Sequence, residues 1–227
     1  MAKHLDIGSK CETFVDRYLI DSEQDTDLFL QPVTRKEPVF QAEEPLENAC
    51  TGCYNFTQDD DRILVYYRGF YPIGETGADL GEKQTTNLLT SSDGISFDRP
   101  SLNLVDDGPN NVIHRGVKAH NFCAFKDGRP GVPDDEIFKA VGGVGKDSLH
   151  GFVSRDGLHW SDVREEPLDV TGAFDSVNVA FWDSYSKCYR LYSRYFHETE
   201  NGGVRAIQSC VSDDFLHWST PKPNVYD

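Results

Sequence analysis

The sequence predicts an all-β protein, a β-propeller of four-stranded antiparallel blades. Three observations carry this. One signature recurs as Ser91-Ser-Asp93-Gly94-Ile-Ser-Phe97, Ser154-Arg-Asp156-Gly157-Leu-His-Trp160 and Ser212-Asp-Asp214-Phe215-Leu-His-Trp218. Its acids stand about 60 residues apart, which marks a stacked or radially repeated unit. Each signature follows short alternating runs rich in β-branched and aromatic residues, and no stretch of helical length shows helical apolar periodicity.

The elements follow in order. The segment 1–47 holds two strand-like runs, Thr13–Ile20 and Asp27–Gln31, which contribute one or two strands towards a further blade. Blades are then expected near 48–108, 116–170 and 173–226. In each, a first strand ends at an acidic turn near Asp59, Asp127 or Asp183. The second strands are Ile63–Arg68, Ile137–Val141 and Cys188–Arg194; the third are Thr86–Thr90, Leu149–Val153 and Ala206–Val211. The Ser-x-Asp turn leads into the fourth. There the carboxylate accepts backbone N–H groups, glycine supplies the positive φ, and the aromatic packs beneath. Phe215 replaces that glycine in the third copy, so a different turn is expected there. The three acids read as hairpin clasps more readily than as ligands. Three blades and a fraction fall short of a closed ring, which implies truncation or completion by another chain.

Composition narrows the function. A net charge of −16, from 22 basic and 38 acidic residues, argues against nucleic acid and anionic membrane surfaces. No apolar run is long enough to span a bilayer as a helix. The first residues lack the apolar core of a signal peptide, which predicts a cytoplasmic protein, or a secreted or periplasmic one had a native leader been removed. Cys50 and Cys53 have metal or redox spacing, but one pair supplies only half a zinc site and precedes a strand, so no metal is assigned. Asp59-Asp60-Asp61 reads as a solvated hairpin tip. No cofactor is predicted; a structural cation in the channel has no ligand spacing to support it.

In a propeller the first strands line the channel. Superposing them on their acidic turns brings Glu47, His120 and Asp175 to corresponding strand entrances, beside Asn121, Ser176 and Asn178. Arg68 and Arg194 end the second strands of blades one and three at equivalent positions, suited to hold a carboxylate or a ligand anion. His120 has the intrinsic pKa of a proton donor, or is a hydrogen-bonded structural histidine. Asn121 and Asn178 either bind substrate or satisfy backbone at a strand entrance.

Five segments, Phe14–Ser22, Tyr66–Gly69, Ala119–Phe122, Gly172–Asp183 and Ser212–Ser219, resemble the glycosidase-like five-bladed β-propellers. That superfamily includes glycoside hydrolase families 32 and 43 and many bacterial glycosyl hydrolase-like relatives. The resemblance implies a glycoside hydrolase acting on an oligo- or polysaccharide through carboxylates in the central funnel. Glu47 fits the acid of the first blade and Asp175 that of the third, with the general acid expected beyond Asp227. Leu46 stands where relatives usually carry a sugar-stacking tryptophan. Two alternatives remain open: a non-catalytic carbohydrate-binding propeller, and an incomplete module that closes its ring by association, as in a homo-oligomer.

Overall fold

The computed structural model describes residues 5–8, 11–42, 52–70, 83–106, 110–200 and 202–225. The chain divides into two units, Met1–Pro38 and Val39–Asp227. The described residues of the first form turns, bends and extended chain; the runs at 13–20 and 27–31 make no strand there.

The second unit is all-β. Twelve strands among the described residues form three four-stranded antiparallel sheets, the blades of a β-propeller that they do not close. Blade one comprises β1 (Gly52–Asp59), β2 (Arg62–Phe70), β3 (Gln84–Ser91) and β4 (Val112–Arg115). Blade two comprises β5 (Cys123–Lys126), β6 (Phe138–Gly142), β7 (His150–Ser154) and β8 (Trp160–Asp162). Blade three comprises β9 (Val179–Asp183), β10 (Cys188–Thr199), β11 (Gly202–Ser212) and β12 (Lys222–Pro223). The first strands are neighbours, β1 beside β5 and β5 beside β9. This places the three strand entrances together.

Alternation explains the packing. Leu64 and Tyr66 of β2 face blade two and join Leu88, Phe122, Ala124, Phe138, Ala140 and Phe152 in one core. A second core, including Val141, Leu149, Phe174, Tyr189, Leu191 and Phe215, joins blade two to blade three.

The three Asp turns are built alike. The Oδ1 atoms of Asp93, Asp156 and Asp214 each accept two backbone N–H groups at 2.7–2.9 Å. The preceding serine Oγ accepts the N–H three residues on, at 2.9 Å in each copy. Asp93 is held down at about 2, first by the Ser96 and Ile95 amides. Burial would raise Asp156, yet the hydrogen bonds from His159 and Leu158 outweigh it and hold that carboxyl at about 2 as well.

Two expectations are corrected. Phe215 does not change its turn: its φ is 70°, beside 72° at Gly94 and 74° at Gly157. The ring is 1% exposed and packs on Tyr189 and Trp218 at 5.2 and 5.7 Å, so burial holds a side chain in a conformation that usually selects glycine. Blade one also runs past residue 108. After its Asp turn only a single bridge, Thr90 to Asp98, forms before Pro100 interrupts the ladder. The edge strand arrives later, where the Asn111 amide donates to the Tyr67 hydroxyl (2.9 Å) and the Leu88 carbonyl (3.0 Å).

The acidic tip is more than solvated. Asp59 pairs with Arg62 at 2.7 Å and with Lys126 of blade two at 2.8 Å.

Candidate functional site

At the strand entrances a chain of polar groups crosses all three blades. Arg68, the last cation of β2, donates from Nη1 to Asn121 Oδ1 at 2.8 Å. Asn121 holds its position in a left-handed turn, φ 50°, two residues before β5 begins. Its Nδ2 carries two hydrogens and meets two acceptors, His120 Nε2 at 2.9 Å and the Asp175 carbonyl at 3.2 Å. On the far side of the imidazole, His120 Nδ1 meets Gln84 Oε1. Where Nδ1–H donates to Gln84, Nε2 accepts from Asn121; where Nε2 carries the proton, it donates to the Asp175 carbonyl. The Asp175 carbonyl also lies 3.1 Å from His120 Nε2, so blade three touches the pair directly.

Burial lowers the His120 pKa to about 4, and the nearby Arg68 cation adds to the effect. The ring is therefore neutral at neutral pH, with one nitrogen a donor and the other an acceptor. Donating a proton as imidazolium would first require charging it against that environment.

Asp175 presents its side chain outward, half exposed, with Oδ1 against Arg194 Nη2. Arg194 is buried, lies over the Phe196 ring at 4.9 Å, and keeps its Nε without a hydrogen-bond partner. Beside it Ser176, Val177, Val179, Tyr192, Arg205 and Ile207 line an open cleft of about 300 Å³. Desolvation and the Arg205 charge both disfavour the Arg194 cation.

The residues expected from the sequence thus divide. Arg68, His120, Asn121, Asp175 and Arg194 meet in one network. Ser176 lines the adjoining cleft. Asn178 does backbone work: its buried amide donates to the Phe174 carbonyl at 3.1 Å and to the Ser176 carbonyl at 2.9 Å, clasping the turn before β9. Glu47 lies outside the described residues. Gln84 is the member the sequence did not reveal; it is buried at the start of β3 and orients His120. Among the described residues this network holds one carboxylate, Asp175, and no group of three or more His, Cys, Asp or Glu is placed to hold a metal ion.

No family model and no curated protein matches the sequence. Among solved structures, the chain is similar to a glycosyl hydrolase from Bacteroides ovatus, at 14% identity and a TM-score of 0.51, covering 81% of this chain and 55% of that one. It is also similar to a fructofuranosidase from Schwanniomyces occidentalis complexed with fructosylnystose, at 13% identity and a TM-score of 0.52, covering 86% of this chain and 38% of that one. The chain therefore shares its fold with these two structures. The chain spans little more than half the length of the first of these structures and less than two-fifths of the second.

Proposed function

We propose that the protein binds a glycan at the meeting point of its first strands and hydrolyses a glycosidic bond there. The observation that supports this best is the joining of blades one, two and three through Arg68, Asn121, His120 and the Asp175 carbonyl, on a fold shared with glycosyl hydrolases. In this reading Asp175 is the ionised carboxylate: facing a guanidinium, it is suited to act as base, nucleophile or charge stabiliser and not as proton donor. Glu47 supplies the second carboxyl, and glycoside hydrolysis needs two in unlike environments. His120, neutral and held from both sides, fixes Asn121, whose Oδ1 keeps one lone pair beyond the Arg68 bond to accept from a sugar hydroxyl. The test is turnover across a panel of oligosaccharides. Asp175→Asn and Glu47→Gln are each expected to abolish hydrolysis with the melting temperature nearly unchanged; retained turnover in either overturns the assignment.

A second reading, a glycan-binding propeller without catalysis, draws on the single carboxylate of the described network and the neutral histidine. Saturable glycan binding with no hydrolysis on any member of the panel would favour it.

A further inference from the structure

A second cluster of ionisable groups lies between blades one and two, apart from the network above. His114 stands near the end of β4, opposite Thr86, and His150 begins β7, opposite Gly142. Lys118 comes from the link 116–122 that joins the two blades, and Asp162 ends β8, opposite Phe152. The His114 ring packs on Phe152 at 5.3 Å and on Phe122 at 6.5 Å, and His150 is 7% exposed. His114 Nε2 and His150 Nδ1 are both buried and make no hydrogen bond among the described residues.

The link beside them also carries His120 and Asn121, and it is fastened to each blade. Towards blade one, the Gly116 amide donates to the Gln84 carbonyl at 2.9 Å and Thr86 Oγ1 donates to the Ala119 carbonyl at 3.1 Å. Towards blade two, the Gly143 amide donates to the His120 carbonyl at 3.0 Å and the Lys118 ammonium donates to Asp162 Oδ2 at 2.8 Å. The link presses close on blade two, where a Cβ on Gly142 would lie 2.6 Å from the Lys118 carbonyl.

Burial is the first cause that keeps both imidazoles below the ordinary ~6.5, and the Lys118 charge adds to it in each. Asp162 opposes the effect, and among the described residues it is the one acid that acts on either ring. The strands alongside bring Thr86 and Gly142, which carry no charge, and alternation sets Arg115 on the opposite face of β4 from His114. A proton on either ring therefore sits beside the Lys118 ammonium and competes with it for a single carboxylate.

We infer that His114, His150, Lys118 and Asp162 form an acid-sensitive clasp: protonation of the histidines breaks the Lys118–Asp162 bridge, frees the link from blade two and withdraws His120 and Asn121 from the site. The site is then assembled near neutral pH and dismantled in acid. The clasp acts in the same way whether the site hydrolyses a glycan or binds one. Its sign follows from linkage: both histidines take up protons more readily once the link is free, so the fastened state loses ground as pH falls below ~6.5.

Hydrogen–deuterium exchange of the amides in 116–122 tests this on the full chain, corrected for intrinsic rates and followed from about pH 7.5 to about pH 4.5, where histidine titrates. Protection should fall below pH ~6.5 by up to about tenfold per pH unit for each histidine that takes up a proton. His120 lies in the same link and contributes one such proton itself. The double variant His114→Gln with His150→Gln should therefore keep the shallower dependence of a single proton. Lys118→Met should cut protection across the whole range, because the bridge is absent throughout. Protection that is flat with pH in the parent overturns the inference. So does a double variant as steep as the parent, which would leave His120 alone responsible, and so does a Lys118→Met link as well protected as the parent's. Imidazole proton shifts of the parent add a check that does not depend on how the variants fold: a midpoint at or above ~6.5 for His114 or His150 also overturns it.

Discussion

Arg68 Nη1 donates to Asn121 Oδ1 at 2.8 Å, and through that amide a cation on blade one reaches the imidazole of His120 on the way into blade two. The arrangement fixes the sign of a titration. His120 sits at about 4 because of burial first and the Arg68 charge second. The folded value lies below the ordinary ~6.5, so this group contributes stability that is present above that pH and lost as pH falls through about 4.

Arg68→Met removes the second cause and leaves the first. The His120 midpoint should therefore rise from about 4 without reaching ~6.5, and the loss of stability between those values should shrink. Imidazole proton shifts followed against pH report the midpoint. An unmoved midpoint would mean that the Arg68 charge is screened from the ring, and that the link through Asn121 is only steric.

Phe215 tests how burial competes with backbone strain. Its φ of 70° disfavours any side chain with a Cβ, while its ring is 1% exposed in the core between blades two and three. Phe215→Ala should cost about 3–5 kcal/mol, because the ring is lost and the strained conformation stays. Phe215→Gly should be less damaging by ~1 kcal/mol, since glycine takes that conformation freely. Urea unfolding of the two variants gives the difference directly. If glycine proves no better than alanine, the turn has relaxed and the strain is not present in the folded chain.

The same residue shows what could be read from the sequence and what could not. The turn chemistry of Ser-x-Asp was legible, and so were β2, β3, β6, β7, β10 and β11, because period-two alternation and local hydrogen bonding are both written in adjacent residues. That Phe215 would accept a glycine conformation was not legible, since its compensation comes from Tyr189 and Phe125, far along the chain. β4 was hidden for a related reason: a long link follows Asp98, and the strand is pinned by Asn111 reaching Tyr67 and Leu88. In the site, Arg68, His120, Asn121, Asp175 and Arg194 were found by superposing repeats, which compares strand entrances directly. Gln84 escaped because a glutamine at a strand end carries no periodic signal, and its partner His120 stands in another blade. Asn178 was left between two roles, and only the coordinates of the Phe174 and Ser176 carbonyls decide for the backbone one.

Lys139 is a sharper instance, a lysine inside an apolar strand. Its ammonium is 1% exposed, 3.1 Å from Asp127 Oδ2 and 3.0 Å from Glu136 Oε2, and 5.9 Å from the ring centroids of Tyr189 and Phe215. Asp127, fully buried in its side chain, also accepts from the Tyr189 hydroxyl at 2.5 Å and from the Arg129 amide at 2.9 Å. Burial, and then the Asp127 hydrogen bond, pushes the Tyr189 phenol above its ordinary range, so it remains a donor at any physiological pH. The ion pair lies within blade two, and blade three meets it through the Tyr189 hydroxyl; removing one charged partner leaves the other buried alone. Lys139→Met should cost about 3–5 kcal/mol, a large share of the ~5–15 kcal/mol that holds a typical domain together. The double variant Lys139→Met with Asp127→Leu should recover part of that loss, because two apolar groups need no counter-charge, while the Tyr189 hydroxyl and the Arg129 amide lose their acceptor. A double-mutant cycle by urea unfolding separates the cases: additive losses would show that the two groups act independently.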